Sequence, residues 1–395
     1  MSNALRERVF KGDIYCLAIG KAAWTMAKSA RKELGSRIKS GIVLTKYGHS
    51  GGEIRGFRII EAGHPLSDEN TLIGTGKAIE MAKRLGEDDE LLFLISGGGS
   101  ALFEQPLPGL SLADIIEVNS KLLACGADIV EVNMIRKRLS AVKAGRFAQI
   151  CSPGKVFTII LSDVLGDRPD SIASGPAAPD LSTIDDVAAV LRKYDLDLGD
   201  KVSDYLCRET PKSLDNVETV ITGSVRTLCE SAASAALGLG YNAHILCTDM
   251  NCEAREAGRL VSSIARQVAV GTATPNGVFE RPCAIILGGE TVVSVKGTGT
   301  GGRNQELALA AAEGISGLQD LLVFSVGSDG TDGPTDAAGG IVDGSTAGRL
   351  KERGLNLQEI LANNDSYKGL AAVAGLIKTG PTGTNVNDIT VILCK

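Results

Sequence analysis

Short apolar runs alternate with amphipathic stretches along almost the whole chain, and that alternation restricts the fold more than any other feature. The runs Ile14–Ile19, Ser40–Leu44, Arg58–Glu61, Leu91–Ile95 and Val156–Leu161 read as strands. Further along, so do Thr219–Thr222, Ala243–Cys247, Cys283–Leu287, Val292–Lys296, Leu321–Val326 and Ile389–Leu393. Helical periodicity occupies the gaps at about Ala22–Leu34, Glu69–Leu85, Leu112–Cys125, Glu131–Arg138, Ile184–Lys193, Val225–Leu237, Ala254–Val270 and Gln305–Glu313. This alternation implies an α/β architecture with largely parallel sheets. At 395 residues the chain exceeds the size at which one core stops growing, so two domains are expected. The polar stretch Cys207–Asn216 is the expected break, giving domains over 1–212 and 213–395. Ligands of such sheets bind at the carboxyl ends of the strands, which points to a cleft between the domains.

Charge and cysteine usage narrow the function classes. The net charge is −6, from 41 basic and 47 acidic residues, which argues against a nucleic-acid or anionic-membrane surface. No apolar run approaches the roughly 18–20 residues of a membrane span, and the N-terminus lacks the apolar stretch of a signal peptide. Nine scattered cysteines without a CxxC pair fit buried free thiols in a reducing cytoplasm better than disulfides or a zinc site.

The loops after the strands carry the chemistry. Ile14–Ile19 runs into Gly20-Lys21, where a helix start would favour an anion; a plain surface lysine is the competing reading. It is not a Walker A loop, because Tyr15 stands where that motif needs glycine. Leu91–Ile95 ends in Ser96-Gly97-Gly98-Gly99-Ser100, whose glycines let backbone amides approach phosphate, unless the segment is only a flexible turn. The segment from Asn133 to Ser140, with Arg136, Lys137 and Arg138, and then Lys143 concentrate positive charge, either as a solvated helix face or as a pocket for phosphate or carboxylate. Asp163 and Asp167 follow Val156–Leu161, placed to hold magnesium or to accept a hydroxyl proton; Asp167 alternatively caps a turn.

In the second half Gly288-Gly289-Glu290 precedes Gly297–Gly302, a literal GxGxxG, with Asp329 after the next strand. That spacing supports a rival reading as an NAD(P)-dependent reductase of hydroxypyruvate or tartronate semialdehyde. Against it, Arg303 abuts the glycines, and a guanidinium suits phosphate oxygens better than a nicotinamide ring. A non-catalytic nucleotide or metabolite sensor is a second rival, which the pairing of cations and carboxylates beside glycine loops disfavours. Asp329, Asp332 and Asp336 resemble part of a calcium loop, but Gly340 stands where its glutamate belongs.

Taken together, GGGSAL at 97–102, NMIRKRLSAVKAG at 133–145, SDVLGD with IASGP at 162–176, GGE with GGRNQE at 288–306, TDGPTDAAG at 331–339 and TGPTGTNVND at 379–388 resemble the class II glycerate kinases over nearly the whole chain. The resemblance implies a Rossmann-like N-terminal domain, a smaller C-terminal α/β domain and an active site in the interdomain cleft. It also implies ATP, Mg2+ or another divalent cation, and D-glycerate as the small-molecule substrate, with 2-phosphoglycerate as the usual product. Lys21 and Arg303 match the family's catalytic basic pair. On this reading Asp163 is a base or metal ligand, with Asp167 a second metal ligand. Gly97, Gly98, Gly99, Ser100, Gly301 and Gly302 bind phosphate, and Asn133, Arg136, Lys137 and Glu290 bind substrate. A cytoplasmic enzyme without nucleic-acid or membrane partners is expected, with homodimerisation left open. The chain departs from the family at Arg138, Ala144, His64-Pro65-Leu66-Ser67-Asp68, and in the short stretch before its first strand, where the family has a helix.

Overall fold

The computed structural model describes residues 1–162, 164, 166–270, 279–382 and 384–395, and it divides into two compact units, Met1–Thr222 and Gly223–Lys395. The first unit holds β1 (Ile14–Ile19), β2 (Ile38–Lys46), β3 (Phe57–Ala62), β4 (Glu90–Ile95), β5 (Lys155–Leu161) and β6 (Val217–Gly223) in the order β3-β2-β1-β4-β5-β6. The described pairings are all parallel. A parallel sheet covered on both faces demands unbroken apolar strands, and β1 and β4 divide their side chains accordingly. Leu17, Ile19, Leu91, Phe93 and Ile95 pack on one face with Ala78, Ala82 and Phe147. Cys16, Ala18, Leu92 and Leu94 pack on the other with Ala23, Met26, Ala27 and Ala30 of the helix Ala23–Leu34.

A helical annex, Leu112–Ala124, Ile129–Leu139, Ile184–Lys193 and Asp200–Leu206, closes over its own apolar cluster. Three of these helices start in capping boxes, Ser111 with Asp114, Asp128 with Glu131 and Thr183 with Asp186, which saturate the first free amides. A short helix, Ser2–Glu7, precedes β1. The unit boundary falls about ten residues later than expected, because β6 completes the first sheet instead of opening the second.

The second unit holds β7 (Asn242–Met250), β8 (Cys283–Gly289), β9 (Leu321–Gly327), β10 (Gly339–Asp343), β11 (Leu376–Ile377) and β12 (Asp388–Cys394), ordered β11-β10-β9-β12-β8-β7. Among the described residues only β7 and β8 pair in parallel here; the other pairings are antiparallel, contrary to the expectation of largely parallel sheets. The helix Arg303–Gly314 is buried from Asn304 through Ala312, and its run of alanines lets neighbours approach closely. A Cβ on Gly258, in the helix Ala254–Val270, would lie 2.3 Å from the Leu307 carbonyl oxygen, so glycine is needed at that crossing.

Among the described residues no helix is long and apolar enough to cross a membrane. All nine cysteines are free, but Cys207 and Cys252 are exposed, so burial does not extend to every thiol.

Candidate active site

In the first sheet the strand order reverses between β1 and β4, the switch point at which doubly wound sheets bind ligands. The loops after those two strands are tied together there. The Lys21 amide donates to the Gly97 carbonyl at 2.8 Å. Ser96 Oγ accepts from the Ala22 amide at 3.1 Å and donates to the Ile19 carbonyl at 3.1 Å. The crossing is so close that a Cβ on Gly20, at φ +109°, would stand 2.3 Å from the Ser96 carbonyl oxygen.

Ser100 then anchors a polar network. Its Oγ lies 3.0 Å from Ser174 Oγ, which donates to Asn133 Oδ1 at 3.2 Å. Its carbonyl accepts from Lys143 Nζ at 2.9 Å and Arg136 Nη2 at 3.3 Å. Lys143 is wholly buried and paired with the equally buried Glu104. Burial above all, with Glu104 opposing it and Arg136 adding to it, brings the Lys143 ammonium down to about 8. Arg136 Nε is buried without a partner, and burial lowers this guanidinium too. Ala173 and Ser174 both have left-handed backbone, φ +52° and +59°, directly before Gly175. Such strain persists only where surrounding bonds impose it, here the amides of Ala144 and Gly145 donating to the carbonyls of Ser174 (3.1 Å) and Gly175 (2.7 Å).

The other residues expected here diverge. Lys137 is buried between Asp170 and Asp180, 3.3 Å from each, so its charge is spent inside the protein. Arg138, fully buried, holds Ser182 and Asp180 and stabilises the annex. Asp163 lies outside the described residues. Asp167 has φ +52° and a buried Oδ1 with no partner among the described residues.

In the second unit Arg303 opens its helix and reaches two neighbouring strands. Its Nε and Nη2 donate to Asp388 Oδ2 and Oδ1 at 2.6 and 3.1 Å, and Nη1 donates to Glu290 Oε1 at 2.7 Å. The β8–β12 register, with Asp388 opposite Gly289, sets these two carboxylates side by side. Burial raises Asp388 to about 6 despite the Arg303 fork, with Asp332 adding to the rise. Arg303 stays charged: burial acts against its charge, but the hydrogen bonds it donates to Asp388 and the nearby carboxylates outweigh that desolvation.

The GxGxxG segment is not led into by the strand that a dinucleotide fingerprint follows. No strand forms at 292–296; Val292 makes only an isolated bridge to Glu253. A Cβ on Gly297 or Gly299 would lie 2.3 or 2.5 Å from the Asn363 carbonyl oxygen. On Gly301 it would meet Ser366 Oγ at 2.1 Å, and on Gly302 the Asp332 carboxyl carbon at 2.2 Å. The glycines are therefore needed where the chain packs on itself. The amides of Asn304 and Gln305, which a phosphate would want, donate to Asp332 at 3.1 and 2.8 Å. A cavity of 680 Å³ opens onto this segment, lined by Gly299, Gly301, Gly302, Arg303, Glu306 and Asp329 among others. Asp329, Asp332 and Asp336 diverge, Asp336 pairing outward with Lys378 at 2.8 Å, and among the described residues no cluster of three metal-ligating side chains exists.

Sequence reasoning did not single out Glu104 or Asp388, and it read Asp332 only as part of a calcium-like loop. Asp388 lay within the closing TGPTGTNVND segment, whereas nothing local marks Glu104.

Residues 2–207 match a domain of unknown function, DUF4147, and residues 283–388 match the MOFRL family. The chain is 53% identical over 376 residues to the D-glycerate 2-kinase of Thermotoga maritima, covering 95% of this chain and 89% of that protein. It is 38% identical over 404 residues to an Agrobacterium vitis protein provisionally named a hydroxypyruvate reductase, covering 99% and 89%. A crystal structure of glycerate kinase from Thermotoga maritima superposes with a TM-score of 0.94 at 51% identity, covering 100% of this chain and 95% of that one.

Proposed function

The chain belongs to the glycerate 2-kinase family, and from that premise we propose that it transfers the terminal phosphoryl group of ATP to the 2-hydroxyl of D-glycerate, giving 2-phosphoglycerate and ADP. The observation that carries this reading is Lys21: it sits at the switch point of a doubly wound sheet, and its ammonium has no partner among the described residues. The lack of a strand leading into 297–302 among the described residues disfavours the reductase reading, since a dinucleotide turn joins a strand to a helix.

Phosphoryl transfer asks the protein for positioning and charge neutralisation. In the proposed mechanism the glycerate 2-hydroxyl attacks the γ-phosphorus, its proton passes to Asp163 or Asp167, and the bond to ADP breaks. Lys21 and Arg303 offset the negative charge that grows on the transferred group. Asp388 occupies two of the five Arg303 N–H groups and Glu290 a third, so two remain for phosphate oxygens. Glu290, partly exposed, is the partner that can move aside. Arg136 and Asn133 are assigned to the substrate carboxylate and hydroxyls, and the 97–100 loop to phosphate. Asp167, with its unpartnered Oδ1, and Asp163 are the carboxylates that would hold Mg2+, which when bound neutralises nucleotide phosphates.

The test is Lys21→Ala with D-glycerate and ATP. Removing one charge-stabilising group lowers kcat by roughly 10²–10³; an unchanged kcat would remove Lys21 from the chemistry.

A further inference from the structure

The mechanism above gives Lys21 a role but leaves two bases near it in the first unit, Lys46 and His64, without one. Lys21 follows β1, Lys46 closes β2 and His64 lies two residues past β3, so three adjacent parallel strands bring these side chains to one carboxyl edge. A Cβ on Gly98 would lie 3.0 Å from both Cδ2 and Nε2 of His64 and 3.3 Å from Lys21 Cγ, which sets both side chains against the same loop. His49 joins them, its Nδ1 3.3 Å from the Lys21 carbonyl oxygen. Burial, and then Lys21, Lys46 and His49 in turn, hold the His64 imidazole below its ordinary value, so the bases feel one another.

Elsewhere in this chain half-buried and buried bases meet carboxylates: Lys137 meets Asp170 and Asp180, Lys143 meets Glu104, and Arg303 meets Asp388. Among the described residues the side chains of Lys21, Lys46 and His64 have no such partner. The carboxylates on the neighbouring segment are spent elsewhere. Glu61 accepts from the amides of Gly48 (3.0 Å) and Ser50 (3.1 Å), and Asp68 from Tyr47 (2.7 Å) and Thr71 (3.0 Å). Mutual repulsion of clustered bases is unfavourable until an anion offsets it, and two ammonium groups beside an imidazole outnumber a single carboxylate.

We infer that Lys46 and His64 form, with Lys21, a binding site for a terminal phosphate, the multiply charged oxyanion of either the nucleotide or the phosphorylated product. The identity of the ligand rests on the kinase reading; the anion site itself does not. Tripolyphosphate is titrated calorimetrically into the full chain, into Lys46→Ala and His64→Ala, and into Lys39→Ala as a control at the amino end of β2. A hydrogen bond to a charged group is worth enough that each site variant should weaken binding roughly ten- to a hundredfold, with Lys39→Ala unchanged and Lys46→Arg retaining most of the affinity. Lys46→Gln and His64→Gln, which keep bulk and a polar head, replace any alanine variant that fails to fold. Parallel titrations with a non-hydrolysable ATP analogue and with 2-phosphoglycerate identify which phosphate is held. Unaltered tripolyphosphate affinity in both site variants overturns the inference, as does an equal loss for D-glycerate, which would make this a carboxylate site. A wild-type chain that binds tripolyphosphate through these residues yet never phosphorylates D-glycerate sinks the kinase reading alone.

Discussion

Arg303 concentrates the second unit's chemistry in one side chain, and its geometry separates two roles. If its free N–H groups meet phosphate mainly in the transition state, Arg303→Lys lowers kcat by roughly 10²–10³ and leaves the KM for glycerate nearly unchanged. A rise in KM at normal kcat would instead assign it to ground-state binding. Asp388 is the residue that aims the fork, and its protonation gives the acid limb of the rate profile. Burial raises its carboxyl to about 6, so it is ionised above that pH and protonated below. As pH falls through about 6 the fork loses its anionic acceptor, and kcat should fall. Asp388→Asn should be slow throughout and lack that limb; a wild-type limb in the variant would assign it to another group. The sequence made Arg303 visible because it abuts a glycine run, while Asp388 became legible only through the β8–β12 register.

Elements show where local pattern informs and where it misleads. The runs at β1, β4 and β5 were readable because strands covered on both faces must be apolar throughout. Residues 292–296 also alternate as a strand would, yet they form none, and the glycines that follow pack against residues 363–366. Long-range close approach leaves no local signature that distinguishes it from a ligand-facing turn. β10 opens on Gly339-Gly340, which reads as a loop, although both glycines lie in the ladder beside β9. The Lys143–Glu104 pair shows the same limit: a lysine in a basic run reads as solvated, but the fold buries it completely behind the Ser100 carbonyl. Removing one partner strands a buried charge, so Lys143→Met should cost about 3–5 kcal/mol in urea denaturation. The double variant Lys143→Met with Glu104→Gln should recover much of that loss. Equal stability of the single variant and the wild type would mean that the pair is solvated.

At the scale of the whole molecule, the strand–helix alternation was sufficient for the α/β class and for two units, but not for strand direction in the second sheet. β8 is buried over all seven residues because helices cover this sheet as well, so its apolar run reads as a parallel interior strand although it runs antiparallel to β12. The boundary was misplaced for a related reason: Cys207–Asn216 reads as a linker, while β6 beyond it still pairs within the first sheet. The account stands on phosphoryl transfer to D-glycerate, and phosphorus NMR of one reaction mixture tests it most directly. Purified chain, D-glycerate, ATP and Mg2+ should yield ADP and a 2-phosphoglycerate resonance in equal amounts, with no oxidation of NADH when hydroxypyruvate is supplied instead. Sustained NADH oxidation with hydroxypyruvate, and no phosphorylated glycerate, would contradict it.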